Sequence, residues 1–481
     1  MESLFISDKL QLLLSSNIKT LELFYFTYPI ISQIASLPAA IINPVLAPII
    51  TSGIALAFMA AFVVVRFYDL KLRTLSAVTS FYFLTSPVAI GIATSGTSLY
   101  LYLIFYFIFF YLLFRYLRDF TTYNFVLLSI CLTLFVFLDA SFLWIIVFMI
   151  PIILFFSLYN TRYKSMSYVG IFSELTQNTF ERKELIGRSL STVLVIVFTP
   201  IMSLLFYLII NYWFTGDILF FTRTGTTQWN QHEFLQKVFY QFDLATITQL
   251  NQTYFPLAIL FMSPLFLFVM FHGRRKILFQ SIVALVPIWL LFSKNTDYSN
   301  LLSLSTLLII TAAGIAGFLH LFQTKLFHKF ISVKFFNLRC ILILGVSIAG
   351  EFAYLHHTQN PIEQNMLAFY IQKEPINIKS SDQLASFILK NIPEDARILA
   401  DNTVFFPSMA LIRAQHTFLD QFQEGFYEAL QAPNLYADYI IVSKKETQAY
   451  PKDKLKPVIE NLRLNADLKY SNEHFRLLKI K

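Results

Sequence analysis

Charge is what this chain has least of. Only 14% of its 481 residues are Asp, Glu, Lys or Arg, whereas an ordinary soluble domain carries about a quarter. So few charges cannot cover the surface of a soluble globule of this length, and a soluble enzyme is excluded. Cysteine is nearly absent. Cys131 and Cys340 lie in or at the edge of apolar stretches, without metal-site spacing and without a disulfide signal. No cleavable signal peptide is read in these residues: the first ten hold two acids and one lysine, with no apolar core behind them.

Apolar and aromatic residues take the place of the missing charge. The chain is 56% hydrophobic and contains 53 Phe and 25 Tyr. Several stretches reach the roughly 20 apolar residues that cross a bilayer core of about 30 Å. The expected fold is therefore a polytopic α-helical membrane protein. Ten spans are read near 47–66, 76–94, 98–117, 122–138, 141–158, 189–212, 253–271, 277–293, 301–321 and 336–354. The formal net charge of +8 does not point to nucleic acid, because the Lys and Arg sit in short loops between spans.

Those loops alternate. Arg66, Lys71 and Arg73 follow the first span, Arg115 and Arg118 the third, and Arg162, Lys164, Arg182, Lys183 and Arg188 the fifth. Arg274, Arg275 and Lys276 follow the seventh, and Lys325, Lys329, Lys334 and Arg339 the ninth. The intervening loops hold almost no basic residue. The positive-inside rule then makes the basic loops cytoplasmic. The tail beyond about residue 355 and the stretch ahead of residue 47 fall outside. Delivering that N-terminal stretch outside needs a preceding span. Either further chain precedes Met1, or residues 24–43 form an eleventh span and leave 1–23 in the cytoplasm.

Three regions follow: an N-terminal juxtamembrane part over 1–46, a helical membrane domain over 47–354, and an extracytoplasmic α/β domain over 355–481. In the last, DQLASFILKN at 382–391 and FFPSMALIR at 405–413 read as helices. Segments 396–401, 436–442 and 475–480 read as strands. This domain has no Gly-rich phosphate loop, paired histidines or cysteine cluster, so a lid or structural role suits it. Loop 213–252 is the longest outside loop, and its residues 233–242 fit an interfacial amphipathic helix. No internal repeat is evident.

Residues 24–117 resemble the core of the C-type integral-membrane glycosyltransferases, which include lipid-dependent protein mannosyltransferases and aminoarabinose transferases. The likeness rests on Tyr28-Pro29 in an apolar helix, LAPIITSG at 46–53, the basic turn DLKLRT at 69–74, and a following span with Pro87 in its middle. Residues 396–442 are similar to the extracytoplasmic tails of such enzymes. The resemblance implies transfer of a sugar from a polyprenyl-phosphate donor to a lipid, glycan or protein acceptor, with inversion at the anomeric carbon. It implies membrane lipids as surroundings and no nucleic acid. It fixes no cofactor and leaves a divalent cation open, although no metal-ligand set is identified. A bacterial inner membrane is the expected setting, since the tail lacks disulfides and retention signals.

The resemblance carries the family's catalytic aspartate onto Asp8, with Lys9 where a second acid often stands. The second outside loop, in which many members place another acid, reads TSGTSLY here, with Thr97 and Ser98 in that place. As base, Asp8 would take the acceptor's proton. The leaving phosphate needs a cation: Arg223 offers bidentate contact, Lys294 precedes a span, and Lys237 is a third choice. Glu22 is a second candidate acid, and Asp139, at a turn between spans, a candidate binding residue. Asp8 also suits a plain helix opening, with Leu10, Leu13, Leu14, Ile18 and Leu21 on one face. His232 has no partner at metal spacing, and the sequon at 251–253 abuts a span. Two rival functions stay open: a noncatalytic relative and a transporter or flippase for a lipid-linked substrate. Acids and bases cluster at span ends and no paired broken helices are evident, which favours the enzyme.

Overall fold

The computed structural model describes residues 2–15, 30–119, 121–138, 150, 173, 176–177, 179–216, 218, 308, 311–317, 319–320, 336–357, 366–367, 379–413, 415, 417–423, 425–444, 455 and 466–480. The first part is helical: α1 (Glu2–Leu14), α2 (Ile30–Ala40), α3 (Ala47–Asp69), α4 (Arg73–Thr85), α5 (Pro87–Ser95), α6 (Leu99–Asp119), α7 (Thr122–Val136), α8 (Thr179–Thr215) and α9 (Phe336–His357). Within these, Ala47–Asp69, Leu99–Tyr116 and Leu190–Trp213 are long and apolar enough to cross a membrane. Ile30–Ala40, Tyr123–Val136 and Cys340–His356 are shorter apolar helices. The spans expected at 253–271 and 277–293 lie outside the described residues, as do 141–158 apart from residue 150 and much of 301–321.

The expected span over 76–94 is two helices. α4 and α5 meet at a 58° bend. The cause is local. Ser86 precedes Pro87 and is pushed to extended backbone, with ψ of 120°. Pro87 then opens α5, where its missing N–H is no loss. The Ser86 hydroxyl caps the new helix by accepting from the Ala89 N–H at 3.0 Å. α5 ends on Gly96 at φ +61°, a left-handed position that favours glycine.

Polar contacts fix how these helices pack. The Ser52 hydroxyl of α3 donates to the Ala93 carbonyl of α5 at 2.7 Å, and Ser129 of α7 donates to the carbonyls of Val195 and Ile196 of α8 at 3.1 Å each. Phe109, Phe110, Phe135 and Tyr106 fill the core between α6 and α7, with Tyr106 and Phe135 centroids 4.5 Å apart. α8 instead leaves Leu194, Phe198, Phe206 and Trp213 exposed. An apolar outer face of that extent suits lipid better than water.

The C-terminal part is a small sheet with helices: α10 (Lys379–Asn391), β1 (Arg397–Leu399), α11 (Asn402–Ile412), β2 (Thr417–Leu419), α12 (Phe426–Gln431), α13 (Pro433–Tyr436), β3 (Tyr439–Ser443), β4 (Ala466–Ser471) and β5 (Phe475–Ile480). Strand order is β2-β1-β3-β5-β4. β1 runs parallel to β2 and β3, and β5 pairs antiparallel with β3 and β4. Leu384, Ile388, Phe405 and Met409 of α10 and α11 cover one face, and Phe426 and Ala429 of α12 cover the other. After β1 the chain turns to one side for β2, then crosses to the other for β3. The strand order thus reverses between β1 and β3, and the carboxyl ends of the parallel strands form the edge where open α/β sheets place their sites. Asp401 and Asn402 follow β1 there, and Asp420 follows β2.

Candidate functional site

That edge is filled by α1. Residues Phe5 to Leu12 are all buried, on every face of the helix. Ile6 and Leu10 pack on Ala40 and Ala47. Phe5 meets Phe406 of α11 edge to face at 5.4 Å, and Gln11 donates to the Ala410 carbonyl at 2.6 Å. Ser7 donates to the Val45 carbonyl at 2.8 Å. At the start of α1, Glu2 accepts from the backbone N–H of Ser98 at 2.9 Å. One helix therefore joins the 95–98 turn, the entry to α3 and the sheet domain.

Asp8 lies at the centre of this seat, fully buried. Its Oδ1 accepts from Arg413 Nε at 2.6 Å, and its Oδ2 accepts from Asn402 Nδ2 at 2.6 Å. Lys9 Nζ stands 3.4 Å from the same Oδ2 and also donates to Asn402 Oδ1. Arg413 extends its Nη2 to Asp420 Oδ2 at 2.6 Å. Lys9 lies over the Phe422 ring at 3.9 Å, and Arg413 over Phe418 at 5.6 Å. Two acids and two bases make the buried cluster neutral. Arg413 Nη1 has no partner among the described residues.

The electrostatics follow from this packing. Burial pushes the Asp8 carboxyl up, but Arg413, Lys9 and the bond from Asn402 outweigh it and hold the group below its ordinary value. Burial pushes Lys9 down to about 8, against the pull of Asp8 and Asp420. Arg413 is also penalised by burial, yet its two carboxylates raise it further. Asp8 is thus ionised, as a base must be, but both its oxygens are occupied. It can take a proton from an acceptor only after Asn402 or Arg413 lets one oxygen go. As it stands, the arrangement clamps α1 to the sheet domain.

The cluster does not fit a divalent cation. The Asp8 and Asp420 oxygens are already met by Arg413, Asn402 and Lys9, and two cations repel a third. Among the described residues no group of three or more His, Cys, Asp or Glu is disposed to hold a metal. Glu22, Asp139, Arg223 and Lys294 lie outside the described residues, as do Lys237 and His232. The 95–98 turn carries no acid of its own, and the carboxylate at Ser98 comes from Glu2. Sequence reasoning missed Glu2, Asn402, Arg413 and Asp420. Asp420 had a readable signal, because TFLD repeats the pattern of ILAD: a short apolar run closed by an acid at a strand's carboxyl end. Nothing in the sequence pairs Asp8 with residues some four hundred positions away.

No protein-family model matches this chain, and no curated protein matches it in sequence.

Proposed function

We propose that this is a polytopic membrane glycosyltransferase that moves a sugar from a polyprenyl-phosphate donor to an acceptor at the extracytoplasmic face. The observation that carries the reading is the seat of α1. It brings Asp8 and Glu2 together with the 95–98 turn and the sheet domain. α3 starts at this end and runs 23 residues to the Arg66–Arg73 turn, about 35 Å away at a rise of 1.5 Å per residue. α6 likewise leaves this end and carries Arg115 away from it. Asp8 and Glu2 thus lie at the end opposite the basic turns, which the positive-inside rule assigns to the cytoplasm. A bacterial inner membrane is the proposed setting.

In the proposed reaction an acceptor hydroxyl or amine attacks the anomeric carbon. The bond from that carbon to the phosphate oxygen breaks, and polyprenyl phosphate leaves with the electron pair. The acceptor proton goes to Asp8 once an oxygen is released. Of the two described cations beside it, Arg413 has an Nη1 without a partner among the described residues and is proposed to meet the charge that develops on the phosphate.

A second reading, a noncatalytic relative, draws on the full engagement of Asp8. The deciding experiment uses the purified full chain in detergent, with polyprenyl-phosphate sugar, and measures release of polyprenyl phosphate. Turnover by the wild type and its loss in Asp8→Asn are expected. No turnover by the wild type against any offered acceptor class refutes the enzyme. Turnover kept by Asp8→Asn removes Asp8 as base. Asp420→Asn disturbs the clamp but not the base, so equal loss in both variants makes Asp8 a positioning residue.

A further inference from the structure

The α4–α5 bend holds a carboxylate that the sugar-transfer reading does not use. Glu351 of α9 is 1% exposed. Its Oε1 accepts from the Tyr82 hydroxyl of α4 and its Oε2 from the Ser86 hydroxyl at the bend. The Val88 N–H, in the first turn of α5, also points to it. Ser347, one turn earlier on α9, joins through Tyr82. The site lies well inside the helical domain. From Ser86, α5 runs about 14 Å to the 95–98 turn, and α4 runs about 20 Å back to Arg73, at 1.5 Å per residue. Both distances fall within a hydrocarbon core of about 30 Å. The clustering of acids at span ends expected from sequence therefore has an exception, and it sits at a broken span.

Among the described residues no cation pairs with Glu351. The titratable group facing it is the Tyr82 phenol. α5, PVAIGIATS, has no charged side chain, and the one charge on α4 is Arg73, nine residues from Tyr82. On α9, Arg339 lies three turns away, and His356 and His357 lie at the outer end. An ionised carboxylate in such a place costs several kcal/mol unless its surroundings answer it. Part of the answer is the start of α5, whose free N–H groups and dipole favour negative charge. The rest is hydroxyls, and a hydroxyl both donates and accepts. If Glu351 takes a proton, Tyr82 or Ser86 turns to accept from it, and no buried group is orphaned. Amide or ammonium partners would not allow this.

We infer that Glu351, with the Tyr82 and Ser86 hydroxyls, is a reversible proton-binding site at the bend of a broken membrane span. The proton is its ligand. Ser86 also caps α5, so proton occupancy acts on the bend, and through α5 on the 95–98 turn that grips Glu2. This inference rests on the helical domain lying in a membrane and not on sugar transfer.

The test is infrared difference spectroscopy of the full chain in lipid nanodiscs, taken between acid and alkaline pH without any sugar donor. A protonated-carboxyl band that titrates in the wild type and is missing from Glu351→Gln is expected. Tyr82→Phe should keep the band and move its midpoint, because one of the two side-chain donors is gone. Identical wild-type and Glu351→Gln spectra overturn the inference. If Glu351→Gln does not fold, an unmoved midpoint in Tyr82→Phe does so. A midpoint that shifts with sodium at constant ionic strength also overturns it, in favour of a metal cation.

Discussion

Replacing Arg413 by Leu removes the one cation that bonds to both Asp8 and Asp420. The packing volume is largely kept, but two buried carboxylates lose their shared partner. Lys9 stays near Asp8 but is itself held down by burial. Breaking a buried pair in this way costs about 3–5 kcal/mol, because charge is left uncompensated. At about 1.36 kcal/mol per tenfold, the unseated fraction of α1 rises by roughly two to nearly four powers of ten. Lys9 is fully buried in the seat and becomes a trypsin site only when α1 leaves. The assay is the rate at which trypsin releases MESLFISDK, read by mass spectrometry. With opening fast relative to cleavage, that rate follows the open population. Arg413→Lys keeps the charge but not the two-armed geometry, and should fall between. Release from Arg413→Leu at the wild-type rate would refute the clamp.

The remaining predictions concern pH, charge and backbone. The Asp8 carboxyl is lowered in the fold, so its contribution to the seat is fully present above the unfolded value of about 3.9 and is lost as pH falls through the folded one. Thermal unfolding should therefore show the seat intact at neutral pH and shed only in strong acid. Loss near pH 6 would contradict this, about two pH units above where a free aspartate titrates. Lys9 is lowered too, so its slope has the same sign in a higher window: between about 8 and its ordinary value of 10.5, the unfolded chain binds more protons. Stability from this group should rise with pH across that window. Lys9→Met, which keeps the stem between Phe5 and Phe422, should leave the melting temperature unchanged or higher, and a clear drop would count against net cost. Gly96→Ala should weaken the seat by about 1–2 kcal/mol, because a Cβ there needs a left-handed backbone. It would also stand 3.0 Å from Ile49 N and Ser3 Cβ. Trypsin release of the same peptide checks it.

The two halves of the chain were unequally legible. Apolar length placed α3, α6, the apolar part of α8 and α9, because each carries its signal within its own stretch. The bend was not read, although Ser86-Pro87 lies in plain sight. The apolar run continues across it, and hydropathy is blind to a break that a proline makes. In the sheet domain, β1, β3 and β5 were read from their apolar runs, and α10 and α11 from theirs. β2, three residues long, and β4, with its half-exposed LKYS, offered too little contrast. The site was least legible. Asp8 was singled out through resemblance, but Asn402, Arg413 and Asp420 meet it only because α1 docks on α11. Such pairing depends on tertiary contact and leaves no local periodicity. Glu351 was hidden for another reason: near the end of an apolar helix it reads as an interfacial acid until α4 and α5 enclose it.

The proposed function requires that α1, the 95–98 turn and the sheet domain lie together outside the cytoplasm, with the Arg66–Arg73 turn inside. The direct measurement is labelling of intact cells with a membrane-impermeant maleimide. Leu435→Cys adds a thiol on the exposed face of the sheet domain, and Lys71→Cys adds one in the basic turn. Native Cys131 and Cys340 are buried and serve as the unlabelled background. Labelling at 435 from outside, with 71 labelled only after the membrane is opened, is the predicted result. Labelling at 71 from outside, with 435 protected, would contradict the account.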